Sequence, residues 1–573
     1  MSLALASGAE AADALEARCR RAGTEWCRAG GHVVSWPTES PWIDVHDDGS
    51  VVVVVDGRLH NGPAGPSGHA EFVARRYRTT HRGVGRGLLG DFVAVVLDRP
   101  AMELLVVRDP VGVRPWYQAA VAGGSFGASE VSVLLDLPGL DTSLDEQVAI
   151  EYLAALSQSR GATLHAGITT LRPGHTWYAD AYGGGQAFAH HTWTVTDDSR
   201  VSWTDALERC RSLLDDAVAA RVAVSGPIGA ELSGGLDSSA VVGTAVRRGA
   251  AHLLAGRLLF EGARADERSY SDAVAAYWNV ELVSVPPWLP SEAEYEALTV
   301  RLGRPPPDPN FTMFASLHDA LRQRGSMDSL TGLGGDDAFA AVGVPARMLS
   351  LLQLRQWAAL NPVVRHGLRH PKQLWSGVVA PTARYRRGRY GAAPPSWVSA
   401  TAARTAGLQE LLYERARPVA GVAGVDERLV GLTSGYDARI LEDRALLGDV
   451  SGRRDSHPFL DPRFIEGTYG LDPAWPLRDG RDRSLHVAAY ADRLPPEVLA
   501  RTSKAEFSQV VWAQMLDPQI MHAVATGPLA ELGWLDPSGF ARLVESAMQS
   551  RANAALPLSR CVALDRWLRL TAH

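Results

Sequence analysis

The stretch Val222–Thr244, VAVSGPIGAELSGGLDSSAVVGT, decides the fold class of this chain. An apolar run closes on the turn Ser233-Gly234-Gly235-Leu236-Asp237-Ser238-Ser239, and a helical pattern of small residues, Ala240 to Val246, begins at once. Strand, tight loop and helix start in that order form the repeating unit of a doubly wound α/β sheet, which places ligands at the carboxyl ends of its strands. Adjacent glycines let the backbone reach positive φ, so N–H groups turn toward one point where the hydroxyls of Ser233, Ser238 and Ser239 add donors. The unpaired N–H groups and dipole of the next helix complete an anion site suited to phosphate. The G-x-x-x-x-G-K-S/T pattern of P-loops is absent. On these residues alone, a plain βα turn with capping serines stays open.

A second turn of the same kind follows: Ser329-Leu330-Thr331-Gly332-Leu333-Gly334-Gly335-Asp336-Asp337. Carboxylates from two strands suit Mg²⁺, which takes one or two of them and completes its octahedron with phosphate and water. Asp237 and Asp336 are the metal candidates; a turn with a helix N-cap is the alternative reading of the second.

Composition narrows the class. The 573 residues provide for two or three domains, and 46% hydrophobic with 21% charged is globular composition. A net charge of −7 gives no global basic field toward nucleic acid. Neither a signal-peptide pattern nor an apolar run of membrane-spanning length is seen, so no membrane association is expected. Cys19, Cys27, Cys210 and Cys561 have neither C-x-x-C nor metal-site spacing, which points to a reduced, cytoplasmic enzyme. Of 57 basic residues only Lys372 and Lys504 are lysine; where arginine serves everywhere else, a retained lysine signals a need for a compact ammonium.

Residues 1–200 alternate short strands and turns: Val51 to Val55, a helix from Ala70 to Arg78, then Phe92 to Leu97 and Leu104 to Arg108 around the turn Asp98-Arg99-Pro100. Residues 201–573 read as βα alternation with a helical remainder; Leu253 to Phe260 and Val280 to Val285 are strands flanking a helix from Glu267 to Asn279. Residues 345–400, rich in Arg and Trp, fit no period and read as an insertion near the site, a lid or binding surface.

Taken together, the motifs resemble the asparagine synthetase superfamily. SGGLDSS resembles its pyrophosphate-binding loop, which implies cleavage of ATP to AMP and pyrophosphate. Gly90-Asp91-Phe92, Arg108-Asp109-Pro110, Ala128-Ser129-Glu130 and Leu171-Arg172-Pro173-Gly174-His175 resemble its glutaminase domain, implying an antiparallel Ntn-type sandwich ahead of the doubly wound sheet. The family's nucleophilic cysteine after the initiator methionine is replaced in Met1-Ser2-Leu3, so the domain is expected to be a scaffold without glutaminase activity. By family position ATP lies against Leu232, the SGGLDSS loop, Gly256, Thr331 and Gly332, with Mg²⁺ on Asp237 and Asp336. Leu333 stands where relatives carry a glutamate or tyrosine, and leucine moves no proton, so the base is assigned to Glu442, with Asp443 second. The alternative for both is a helix carboxylate paired with arginine. His457-Pro458-Phe459-Leu460-Asp461 and Arg501-Thr502-Ser503-Lys504-Ala505-Glu506-Phe507 resemble two further family motifs, and the second makes Lys504 the stabiliser of developing negative charge.

Within the superfamily the chain looks most like a lasso peptide cyclase, which implies adenylation of an Asp or Glu side chain of a precursor peptide and attack by the peptide's N-terminal amine to close a macrolactam. Such an enzyme implies partners, a leader peptidase and a leader-recognition protein of the same pathway. The alternatives are a β-lactam synthetase-like ligase, an asparagine synthetase-like amidotransferase, and a non-enzymatic nucleotide-binding homologue.

Overall fold

Five consecutive valines, Val51–Val55, are all buried, which a strand permits only when both of its faces are covered. The computed structural model describes residues 2–571 apart from 66, 157–160, 181–184, 199, 224–225, 261–265, 340–392, 417–428, 430–431, 433–435, 473–474, 481–482, 502–514 and 550–553. Most of the 345–400 insertion, Lys372 and Lys504 therefore lie outside the described residues.

In chain order the N-terminal strands are β1 (Ala4–Ser7), β2 (Glu25–Ala29), β3 (His32–Trp36), β4 (Ile43–Asp47), β5 (Val51–Leu59), β6 (Gly90–Asp98), β7 (Glu103–Arg108), β8 (Tyr117–Val121), β9 (Gly124–Ala128), β10 (Thr169–Thr170), β11 (His175–Ala179) and β12 (Gly185–Ala189). They form two antiparallel sheets, ordered β10-β8-β9-β1-β3-β2 and β12-β11-β7-β6-β5-β4. Val52 and Val54 of β5 meet Val93 and Val95 of β6 and Leu3, Leu5 and Val34 of the other sheet, making the core between sheets. Val51, Val53 and Val55 point the other way, onto Val73, Ala74 and Tyr77 of the helix His69–Thr80. The outer face of the first sheet is covered by Ala11, Ala12, Leu15 and Cys19 of the helix Ala9–Ala22. Helix, sheet, sheet, helix is the layered sandwich that the sequence implied.

A third sheet is parallel, built from β13 (Ile228–Glu231), β14 (Leu253–Leu258), β15 (Glu281–Val285), β16 (Asp328–Leu330) and β17 (Arg454–Ser456) in the order β15-β14-β13-β16-β17. The chain runs outward from β13 through the helices Leu236–Arg247 and Arg268–Trp278 to β15, then returns to the other side of β13 with β16. The strand order thus reverses between β13 and β16, the crevice where doubly wound sheets bind ligands.

The two halves share cores. Val111 and Val113 pack with the parallel-sheet residues Ile228, Ala230 and Leu330, while Val148–Ala154 pack with helical residues between Val398 and Leu568. Among the described residues no helix is long and apolar enough to cross a membrane.

Candidate active site

The two glycine-rich turns leave β13 and β16 side by side and press on each other. A Cβ on Gly332 would lie 2.7 Å from Ser238 N and 2.9 Å from Asp237 Cβ, and one on Gly335 would collide with the Asp237 carboxylate. Gly234 sits at φ 79°, and a Cβ there would meet Tyr270 Cβ at 2.6 Å. Glycine is required at these positions because neighbouring backbone and the Asp237 and Tyr270 side chains leave no space for a Cβ. Ser233 Oγ and Ser238 Oγ lie 3.1 Å apart at the head of the helix Leu236–Arg247, and the Gly235 N–H donates to Ser233 Oγ. Ser239 corrects the expectation of three converging hydroxyls: it is fully buried, and its Oγ is enclosed without a hydrogen-bond partner.

Both predicted metal ligands converge on one cation. Arg483 pairs through Nη2 with Asp237 and through Nη1 with Asp336 Oδ1 at 3.3 Å, and His486 Nε2 lies 3.1 Å from Asp237 Oδ1. Burial alone would raise the Asp237 pKa, but the Arg483 charge and the His486 contact outweigh it and hold the carboxyl well below the usual range. This arrangement fits Mg²⁺: two carboxylates at the starts of helices that follow adjacent strands already gather a positive group between them, beside the turn that carries the Ser233 and Ser238 hydroxyls. Neither Arg483 nor His486 figured among the residues anticipated from the sequence.

The remaining ATP-contact candidates are supporting backbone. The Leu232 N–H donates to Gly256 O at 2.8 Å, and a Cβ on Gly256 would lie 2.6 Å from Leu317 Cδ1, so glycine admits the helix Ala315–Arg322 against β14. Thr331 bonds through Oγ1 to His457 Nδ1 at 2.7 Å and through its N–H to Ser456 O at 3.0 Å. Gly334, at φ 91°, has no room for a Cβ against Leu460, and Phe459 packs on Phe339. His457-Pro458-Phe459-Leu460-Asp461 is therefore the buttress of the second turn, locked by Arg221 Nη1 to Asp461 Oδ2 at 3.0 Å.

Arg501 Nη1 donates to Gly234 O at 3.3 Å, pairs with Glu267, and stacks on the Tyr270 ring at 4.5 Å. It is the last described residue before Lys504 and is anchored on the first loop.

Glu442 and Asp443 lie on the helix Tyr436–Ser451, each already committed. Glu442 pairs with Arg304 and accepts from Tyr117 Oη of β8. Burial would raise its pKa, but the charges of Arg304 and Arg439 and the Tyr117 hydroxyl lower it to about 2. A carboxylate so acidic is a poor acceptor of protons at neutral pH, which corrects its assignment as base. Asp443 is shifted upward by burial, which the charges of Arg439 and Arg304 only partly oppose; Arg439 Nε lies 3.0 Å away and the Asp308 N–H donates to it at 3.2 Å. Both carboxylates tie the helix Tyr436–Ser451 to its surroundings.

Glu442→Gln is accordingly expected to destabilise the protein by about 3–5 kcal/mol at neutral pH, because it strands Arg304 in a buried site. With a folded pKa of about 2 against an ordinary 4.5, the contribution of Glu442 is complete above pH 4.5 and fades as the pH falls toward 2. Chemical denaturation at pH 7 and pH 3 checks the sign: the difference between variant and parent shrinks in acid. A variant of parental stability but with turnover lost would return Glu442 to the reaction.

A glutamine amidotransferase domain model matches residues 66–191. A putative glutamine-hydrolyzing asparagine synthetase of Mycobacterium tuberculosis is 29% identical over 197 residues, 33% of this chain and 30% of that protein. Asparagine synthetase 3 (glutamine-hydrolyzing) of Bacillus subtilis is 29% identical over 163 residues, 28% of this chain and 26% of its own length. The matched parts thus span about a third or less of these relatives. A solved glutamine phosphoribosylpyrophosphate amidotransferase from B. subtilis shares 12% identity over 58% of this chain and 81% of its own, with a TM-score of 0.23. The asparagine synthase model matches residues 209–569, the whole of the parallel sheet with both glycine-rich turns, and the chain belongs to the asparagine synthase family.

Proposed function

We propose that this protein is an ATP-dependent carbon–nitrogen ligase, forming AMP and pyrophosphate, that joins a carboxylate to an amine already present in its substrate. In its sharpest form the substrate is a precursor peptide whose Asp or Glu side chain is adenylated and then attacked by the peptide's own N-terminal amine, giving a lasso-type macrolactam. A leader peptidase and a leader-recognition protein would act beside it, in the cytoplasm.

The observation that carries the ligase reading is the meeting of two glycine turns at the reversal of strand order, with Asp237 and Asp336 turned toward one cation. Helix-terminal N–H groups and the Ser233 and Ser238 hydroxyls would take the phosphates. Mg²⁺ bound by Asp237 and Asp336 would neutralise phosphate charge. Arg483 offers a second, protein-borne positive group at the same place, and Lys504 follows Arg501, which holds the first loop.

Supporting an amine from the substrate rather than from glutamine, no cysteine stands at the head of β1, where residues 2 and 3 are Ser and Leu. Cys19, Cys210 and Cys561 are buried, and burial pushes the Cys210 thiol up to about 12 and raises that of Cys561. The curated relatives favour a second reading, an asparagine synthetase-like amidotransferase, since their names specify glutamine hydrolysis.

Incubation with ATP, Mg²⁺ and candidate precursor peptides, followed by phosphorus NMR and mass spectrometry, is expected to give AMP, pyrophosphate and a peptide lighter by one water, with glutamine untouched. ADP as product would overturn the ligase reading. Glutamate release coupled to asparagine formation would select the amidotransferase instead.

A further inference from the structure

Apart from the nucleotide turns, one buried cluster is incomplete. Glu231 ends β13, and Asp455 lies in β17 on the same face of the sheet, since Gly229 pairs with Ser329 and Ser329 with Asp455 while Glu231 is two residues from Gly229. The helix Ala315–Arg322 brings His318 onto that face, and ligand atoms of Glu231, His318 and Asp455 all lie within 4.8 Å of one another. His318 is 0% exposed, and the Asp455 side chain 2%.

The protons can be counted. Ser451 Oγ lies 2.9 Å from Leu447 O, 3.4 Å from Gly448 O and 2.9 Å from His318 Nδ1; when its one proton goes to a carbonyl, it accepts from Nδ1–H. In that arrangement the imidazole proton sits on Nδ1. In the neutral ring this leaves the Nε2 lone pair facing Asp455 Oδ1 at 3.3 Å. Neither atom has a hydrogen-bond partner, and both are sealed from solvent. Arg444 does not resolve this: its Nη2 serves Glu231 and lies 2.7 Å from Asp455 Oδ2, the other oxygen. The Ser329 hydroxyl, on the strand between the carboxylates, is likewise buried and unpartnered.

Two opposed lone pairs at this distance call for a cation between them. A proton on Nε2 would make this contact an ion pair at 3.3 Å, longer than a well-formed N–H···O bond. An ion about 2.0–2.1 Å from each of two ligands in a tetrahedral arrangement sets those ligands about 3.3 Å apart. An imidazole whose Nδ1 is fixed by a hydroxyl, presented with carboxylates, is also how proteins prepare a histidine ligand. We infer that Glu231, His318 and Asp455 form a buried site for a first-row divalent cation of the Zn²⁺ type, separate from the nucleotide-bound Mg²⁺. One imidazole with two carboxylates selects this class over Mg²⁺ or Ca²⁺, which prefer oxygen alone. The ion would clamp the end of β13, from which the SGGLDSS loop departs, to β17 and to the helix Ala315–Arg322.

The full chain, purified without chelator or nucleotide, is expected to retain about one equivalent of a first-row metal by elemental analysis. After dialysis against chelator it is expected to take up one equivalent of Co²⁺ with visible ligand-field absorption. His318→Ala and Asp455→Asn are expected to lower Co²⁺ affinity at least ten-fold, and Asp336→Asn to leave it unchanged. Absence of saturable Co²⁺ uptake by the parent overturns the site even if the variants fail to fold. Uptake lost in Asp336→Asn but kept in His318→Ala assigns the ion to the nucleotide turns and overturns it equally.

Discussion

Asp237→Asn is expected to lose turnover by about 100- to 1,000-fold and stability as well, whereas Asp336→Asn loses comparable turnover and keeps its stability. The activity term is common to both, since on the proposed function each removes a hard anionic ligand for Mg²⁺ and one preorganised electrostatic group at the phosphates. Stability separates them because their surroundings differ. Asp237 has a side chain 17% exposed, pairs with Arg483 and faces the fully buried His486; its neutralisation leaves a buried cation without its partner, at a cost of about 3–5 kcal/mol. Asp336 is 46% exposed, where loss of an ion pair costs at most about 1 kcal/mol. The Asp237 carboxyl is held below its ordinary value of 3.8, so its contribution is present in full at neutral pH and is lost only well into acid. Single-turnover pyrophosphate release across a Mg²⁺ titration, with urea denaturation of the same samples, measures both terms. Parental turnover in Asp336→Asn would remove it from the metal site; parental stability in Asp237→Asn would mean that Arg483 finds another anion.

The residues that were legible in the sequence are those whose local backbone does the work. SGGLDSS and TGLGGDD announce themselves because glycine is compulsory where Gly234 takes positive φ and where Gly332 and Gly335 press on Asp237. The valine run of β5 and the apolar segments of β6 and β7 were equally plain, since burial on both faces leaves no polar alternation to misread. Arg483 was invisible for two reasons. It reaches Asp237 from 246 positions away in the chain, and arginine fills all but two of the 57 basic positions, so a functional arginine has no contrast against the rest. Glu442 shows the converse error: its motif position was readable, but its engagement by Tyr117, 325 residues earlier, is a tertiary fact that sets its pKa. His318 and Asp455 come together only when a helix packs on the sheet, and no spacing in the sequence foretells it.

The same scarcity of contrast that hides Arg483 exposes Lys504, and Lys504→Arg is expected to reduce turnover by about 100- to 1,000-fold, roughly 3 to 4 kcal/mol of barrier, although the charge is kept. The site already contains guanidinium groups at two points, Arg483 between the carboxylates and Arg501 on the Gly234 carbonyl. A requirement for positive charge alone would therefore be met by arginine here as it is elsewhere in the chain. An ammonium differs in being compact and in offering three donors on a flexible stem, so it can follow charge as that charge moves from the phosphates to the reacting centre, while a planar fork is held to one geometry. If, as proposed, the group acts on charge that develops during reaction, the loss should fall on single-turnover rate and leave ATP affinity within a few-fold of the parent. Lys504→Ala should be no worse than about ten-fold below Lys504→Arg if geometry rather than charge is what the lysine supplies. Nucleotide binding by calorimetry and single-turnover kinetics on both variants give the answer, and an arginine variant that reacts within a few-fold of the parent would leave Lys504 an ordinary cation, with the electrostatic role falling to Arg483.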